Sequence, residues 1–114
     1  MKWLPMMREA IDGYVPADTI GVYALKRSSR DGSKQYYIGR SDNLRARLKD
    51  HLDKDYDAVT FIFCKSEQEA FRLECIRFHD FSLLIGSKLQ NTNHPAPPSN
   101  CNWKCPVFGC AFSE

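Results

Sequence analysis

The chain has 114 residues, a formal net charge of +2 and a hydrophobic fraction of 43%, which predict one globular domain with a single core. No apolar run approaches the ~18 residues of a membrane span, and the start of the chain lacks the apolar segment of a secretory signal, so we expect a cytoplasmic protein. The five cysteines, an odd number, argue against a disulfide framework.

The first predicted elements are a short helix and a β-hairpin. Residues 5–12 can form the helix. Residues 19–26 alternate in polarity as a strand does, and residues 35–39 form the returning strand. The Asp31-Gly32 pair between them is typical of a hairpin turn.

A second helix, a third strand and a long helix follow the hairpin. Asn43 and its two polar neighbours offer N-caps for a helix that runs to Leu52. Residues 59–64 are β-branched and aromatic, which favours a strand. A capping box at Ser66 opens the longest helix, which should end near Gly86. We therefore expect an α/β fold of the α+β type, with a three-stranded, mainly antiparallel sheet and flanking helices.

The last segment, residues 96–114, is rich in proline, asparagine and cysteine and predicts an irregular tail. We expect it to pack on the domain formed by residues 1–95. Four candidate ligands for a tetrahedral Zn²⁺ lie in or just before the tail: His94, Cys101, Cys105 and Cys110. The alternative to this metal site is that the cysteines are reduced and buried as small apolar side chains.

Basic residues are concentrated in the hairpin and the helix after it. Such a face predicts contact with a polyanion, although a solvated charged surface is the simpler alternative. If phosphates are contacted, binding should weaken steeply with salt. The candidate contact residues are Arg40, Lys49, Arg45 and Lys34.

One carboxylate falls where the long helix should be apolar. On a helical wheel of about 100° per residue, Glu74 lies in the middle of an arc of phenylalanine and isoleucine side chains. A buried carboxylate must be paired, protonated or bound to a metal. The sequence therefore leaves two main interpretations of Glu74, an ion pair with Arg40 or Arg47 and a metal site.

Four further side chains should converge on one side of the small sheet. Tyr23 and Tyr37 lie on neighbouring strands, and Arg47 and His51 are spaced i, i+4 on the next helix. Each has a structural explanation when taken alone, because tyrosine packs well in strands and a border histidine is commonly only hydrogen-bonded. Together, phenols, a guanidinium and an imidazole indicate phosphate chemistry.

These motifs resemble those of the GIY-YIG nuclease superfamily. Residues 21–23 (GVY) match its first signature with Val for the central Ile, and residues 37–39 (YIG) match the second. The helix with Arg47 and His51 is similar to the family helix that carries an arginine and, one turn later, a histidine or tyrosine. Glu74 resembles the metal-binding glutamate of the family.

The motif series closes at Asn91, with Asn93 as the competing choice. The spacing from Asn91 to His94 and Pro95 resembles that of small stand-alone members of the family. The resemblance covers residues 19 to about 95 and implies the same sheet with flanking helices.

The resemblance implies a DNA endonuclease that hydrolyses phosphodiester bonds with one divalent metal, Mg²⁺ or Mn²⁺. Glu74 would hold the metal, Tyr37 would be the general base, and Arg47 would stabilise the transition state. Arg40 stands where many members have lysine, and a guanidinium can stabilise a phenolate but cannot accept its proton. Tyr23 would orient water or phosphate, His51 would support the site, and Asn91 would fix the loop geometry.

Several alternatives remain open from the sequence. They are double-stranded or branched DNA as the substrate, DNA repair or mobile-element biology as the role, and a homodimer or a partner protein as the source of specificity. The rival function is an inactive or weakly active module that binds nucleic acid or another partner and has a zinc-stabilised tail.

Overall fold

Four strands and three helices alternate along residues 2–113, the part of the chain that this computed structural model describes. Met1 and Glu114, the outer ends of the two segments predicted above, lie outside the described residues. In chain order the elements are β1 (Leu4–Pro5), α1 (Arg8–Tyr14), β2 (Ile20–Ser28), β3 (Lys34–Ser41), α2 (Leu44–Asp50), β4 (Ala58–Cys64), α3 (Glu67–Ile85) and a 3₁₀ turn (Gly86–Lys88).

The sheet has four antiparallel strands in the order β1-β4-β2-β3, rather than the three that were predicted. The extra strand β1 was missed because two residues are too short to show a strand period. Pro5, expected in the first turn of a helix, lies in this edge strand opposite Ala58. The Met6 amide then donates to the Asp57 carbonyl at 2.9 Å. These contacts keep the chain extended, so the first helix begins only at Arg8.

The central hairpin depends on two glycines that admit close neighbours. Tyr23 on β2 lies opposite Gly39 on β3, and a Cβ added at Gly39 would lie 2.5 Å from Cζ and Oη of Tyr23. At Gly21 an added Cβ would lie 2.7 Å from the Ile62 carbonyl oxygen and 2.8 Å from Cδ2 of Leu44. The first glycine therefore lets a tyrosine ring cross β3, and the second lets α2 pack against β2.

Helices cover both faces of the sheet, so the core has two halves. On one face Tyr23 and Leu25 of β2 pack with Leu44 and Leu48 of α2, and α1 adds Ile11. The opposite face packs against α3 through buried residues of β2, β3 and α3 itself: Val22, Ala24, Ile38 and Ala70. Since β3 is an edge strand, groups from both faces can meet beside it.

The long helix α3 begins and ends as its sequence predicts. The Glu69 amide donates to the Ser66 hydroxyl at 3.1 Å, and the Lys65 amide donates to the Glu69 carboxylate at 3.1 Å. Gly86 follows the last residue with φ of 52°, a left-handed backbone that favours glycine. No helix in residues 2–113 is long and apolar enough to cross a membrane.

The tail lies against α3 with little regular structure. Cys105 and Ser113 form an isolated bridge. Buried Cys105 packs against Phe71 and Cys75 of α3, and the ring of Trp103 lies 6.0 Å from that of Phe71. The tail is thus held by side chains more than by backbone hydrogen bonds.

Candidate active site

A cleft of about 360 Å³ opens at the end of the hairpin, where β3, α2 and α3 meet. The register places Tyr37 opposite Leu25, on the α2 face, and Arg40 opposite Val22, on the α3 face. Side chains from both faces of the sheet therefore reach this one cleft. Its walls include five of the residues singled out in the sequence: Tyr23, Tyr37, Arg40, Arg47 and Glu74.

Tyr23 and His51 form a buried pair beneath the cleft. The Tyr23 hydroxyl lies 3.0 Å from Nε2 of His51, and the two residues are 2% and 8% exposed. Burial and the nearby Tyr37 raise the pKa of Tyr23, although Arg47 opposes them. Burial also lowers the pKa of His51. Both side chains are therefore neutral at pH 7 and share one hydrogen bond.

Tyr37 is the more accessible of the two tyrosines in the cleft. It is half-buried, whereas Tyr23 is almost fully enclosed. Its ring centroid lies 6.3 Å from that of Tyr23 and 5.7 Å from that of His51. Tyr37 thus presents its phenol at the cleft wall with the buried pair directly behind it.

Tyr56 is a supporting residue that the sequence analysis missed. Its ring meets His51 edge-on at 6.0 Å, and its hydroxyl donates to Oε1 of Gln90 at 2.7 Å. Arg27 covers the other side of the ring at 4.5 Å. Tyr56 lies after α2 in a segment without a motif, so no sequence signal linked it to His51.

Glu74 is 7% exposed and forms an ion pair with Arg40, with 2.5 Å between Oε1 and Nη1. The ion pair that the sequence allowed for Glu74 is therefore present. Burial raises the pKa of Glu74, and Arg40 counteracts that rise. Arg40 also donates to the Ala96 carbonyl at 2.6 Å and lies over the ring of Phe71. One arginine therefore joins the cleft, α3 and the start of the tail.

Asn91 binds the backbone of β3 between Tyr37 and Gly39. Its Oδ1 accepts from the Ile38 amide and its Nδ2 donates to the Ile38 carbonyl, both at 2.8 Å. Asn93, the competing candidate, is exposed. Asn91 therefore holds the strand segment that carries the YIG motif.

The four residues predicted to contact phosphate lie in three different places. Arg40 lines the cleft, whereas Lys49 and Arg45 pair with Asp12 of α1 at 2.5 and 3.2 Å. Lys34 is exposed at the start of β3. Arg47 is exposed at the cleft wall and has no ion pair within residues 2–113.

Three of the four predicted zinc ligands come together, and a different residue takes the fourth place. The thiol of Cys101 lies apart and contacts Asn100 at 3.5 Å. The sequence analysis missed His79, which follows Cys75 by one turn of α3 and so faces the same tail. The four residues that meet, here named the tail cluster, are His79, His94, Cys105 and Cys110.

A family model described as the GIY-YIG catalytic domain matches residues 19–82, more than half of the chain. The chain belongs to the GIY-YIG family. No match was found among curated proteins or among solved structures. The resemblance drawn from the sequence motifs is thereby confirmed.

Membership of the GIY-YIG family makes this domain one of nuclease type, with DNA as the implied substrate class. Metal dependence is general among such nucleases. The matched region contains both tyrosines, Arg47, His51 and Glu74, whereas Asn91 and the tail lie beyond it.

Proposed function

We propose that this GIY-YIG protein is a metal-dependent DNA endonuclease. One observation carries the proposal, namely that two strands and two helices bring Tyr23, Tyr37, Arg47 and Glu74 to the same cleft. These residues are separated by up to half of the chain, so their meeting is a property of the fold.

The residues of the cleft fit a single hard dication. Glu74 offers a carboxylate, the ligand type that Mg²⁺ and Mn²⁺ prefer, and Mg²⁺ commonly keeps several of its waters. The ion pair with Arg40 uses Oε1, and no hydrogen bond within residues 2–113 reaches Oε2. A dication bound there would supply charge stabilisation for the phosphate and the leaving oxygen.

The two tyrosines have different roles in this proposal. Tyr23 stays protonated, because burial raises its pKa. Its hydroxyl is held by the hydrogen bond to His51, and from this position it can orient a water or a phosphate. Tyr37 is accessible at the cleft wall, and we assign it the role of general base toward the attacking water. His51 supports both phenols, and Asn91 holds the strand on which Tyr37 lies.

Arg47 is the cation available to the reacting phosphate. It lies in the cleft wall without an ion pair in the described residues, whereas Arg40 is already bound to Glu74. A guanidinium aimed at the position where negative charge develops stabilises the transition state. Arg40 would hold Glu74 in place and add positive charge beside Tyr37.

The substrate is double-stranded or branched DNA in this proposal, acted on in the cytoplasm. A single domain of this size should have little sequence specificity of its own. Specificity would therefore come from DNA shape, from a second copy of the chain or from a partner protein.

The test is nicking of supercoiled plasmid in Mg²⁺ or Mn²⁺ by the wild type, Glu74→Gln and Tyr37→Phe. The matched control is Tyr36→Phe, which removes the same hydroxyl one residue away, where the ring packs edge-on against Phe81. We expect cutting by the wild type and the control and none by the other two. Equal cutting by all four proteins would refute the assigned roles.

A second candidate function is a module that binds DNA without cutting it. The Arg40–Glu74 ion pair favours it, since the carboxylate that would hold the metal already has a cationic partner. Fluorescence anisotropy with labelled DNA, run beside the nicking assay, separates the two. Tight binding by a folded wild type that never nicks would establish the binding module.

A further inference from the structure

The tail cluster gathers four metal-binding side chains from three separate segments. His79 lies on α3, His94 lies in the segment after it, and Cys105 and Cys110 lie in the tail. Their nearest ligand atoms all fall within 4.8 Å of one another. Two imidazoles and two thiols are a usual donor set for a structural zinc site.

The spacing of these atoms matches a tetrahedral metal site. With Zn–N of about 2.05 Å and Zn–S of about 2.3 Å, a tetrahedron has edges of about 3.3 Å for N to N and about 3.6 Å for N to S. The two Nε2 atoms of His79 and His94 lie 3.2 Å apart. Sγ of Cys105 lies 3.6 Å from Nε2 of His79, and Sγ of Cys110 lies 3.4 Å from Nε2 of His94.

The surroundings of His94 orient its ring for a metal. Its Nδ1 lies 2.7 Å from the Pro95 carbonyl, which can only accept, so Nδ1 carries the proton. Nε2 then presents its lone pair to the cluster. The ring stacks on Phe112 at 4.4 Å and meets Phe78 edge-on at 5.5 Å, and these contacts hold the ring in this orientation.

We propose that His79, His94, Cys105 and Cys110 form a structural Zn²⁺ site. Four protein ligands leave no open position, so the site would be structural rather than catalytic. It keeps three of the ligands expected from the sequence and replaces Cys101 with His79. The proposal is independent of the nuclease function proposed above.

The zinc site would attach the tail to α3 and thereby position one wall of the cleft. His94 directly precedes the segment in which the Ala96 carbonyl accepts from Arg40 and Pro98 lines the cleft. A fixed His94 would hold these contacts in place. The site would also account for an irregular tail that packs in a defined position.

The experiment is metal analysis of the full chain, purified under reducing conditions after expression with added zinc. We expect about one zinc per chain in the wild type and in the control Cys101→Ser, and less than about a tenth of that in Cys110→Ser and His79→Ala. Replacing zinc with Co²⁺ should give the visible absorption bands of tetrahedral cobalt and a thiolate charge-transfer band. Loss of zinc in Cys101→Ser equal to that in Cys110→Ser would overturn the assignment.

A second measurement avoids variants that fail to fold. The melting temperature of the wild type is recorded before and after zinc chelation, and again after zinc is returned, in buffer without magnesium or DNA. We expect a fall on chelation and recovery with zinc but not with Mg²⁺. A wild type that contains no zinc and melts at the same temperature with chelator would refute the site.

Discussion

The cleft and the tail cluster place polar side chains in the fold in opposite ways. In the cleft, regular strands and helices present Tyr37 and Arg47 to open space. In the tail cluster, two irregular segments bring three ligand side chains against His79 of α3. Regular structure can therefore hold reactive side chains without a partner. The irregular tail is instead ordered by contacts among its ligand side chains and with α3.

Arg47→Ala should strongly lower the nicking rate and leave the stability of the fold almost unchanged. Loss of one donor to the developing charge should lower the nicking rate on the order of 10²–10³-fold. Because the side chain is exposed, the free energy of unfolding should change by less than about 0.5 kcal/mol. Plasmid nicking and urea unfolding measure the two quantities. A large loss of stability would show that Arg47 supports the fold instead.

Gly39→Ala tests whether the close approach of Tyr23 is needed. The added methyl would lie 2.5 Å from the Tyr23 ring, and such overpacking should cost about 1–3 kcal/mol of unfolding free energy. The control is Gly13→Ala in α1, where an added Cβ meets nothing within 4 Å and should stabilise by about 0.5–1 kcal/mol. Urea unfolding of both variants measures the difference, and equal stabilities would contradict the contact.

The buried histidine His51 should make stability depend on pH. Burial lowers its pKa in the folded chain, so the unfolded chain binds more protons below its own pKa of about 6.5. The free energy of unfolding should therefore fall as the pH falls from about 6.5 through the lowered folded pKa.

Comparison with His51→Gln isolates the contribution of His51 to that pH dependence. The variant should show a shallower fall in stability over the same pH range, because its side chain does not titrate. Urea unfolding at several pH values gives the slopes. An identical slope in the wild type and the variant would mean that His51 does not take part.

Lys49→Ala should have the smallest effect, and it tests whether the DNA-binding surface extends beyond the cleft. Lys49 is engaged by Asp12 outside the cleft, so its loss should leave the salt dependence of DNA binding unchanged. Arg47→Ala should reduce the slope of log affinity against log salt by about 0.9, the value for one lost phosphate contact. Anisotropy titrations over a range of salt concentrations measure both slopes. A reduced slope in Lys49→Ala would extend the contact surface to α2 and α1.

The sequence predicted the order of the main elements and five of the residues that line the cleft. The hairpin, the helix caps and the burial of Glu74 are local patterns, so they could be read from residue spacing. By contrast, β1 is two residues long, and its pairing with β4 depends on Val59, which lies 55 residues after its partner Leu4. Edge strands this short have no period to detect.

The missed residues share a second cause, which is that their partners are set by tertiary packing. His79 meets His94 only because the chain turns back after α3. Lys49 also has a partner that no sequence pattern indicated, because the packing of α1 against α2 brings it to Asp12. Sequence patterns report which face of an element is apolar, but not which element will cover it.

The side chain of Asn91 covers part of the outer edge of the sheet. Its amide pairs with both backbone groups of Ile38 as a neighbouring strand would, and the Gln90 amide binds the Tyr36 carbonyl at 2.7 Å. The outer edge of β3 is thereby occupied at these positions, and an unpaired edge is a template on which other chains can add strands. The backbone groups of Tyr36 and Ile38 on this edge are therefore not available for strand pairing with another copy of the chain.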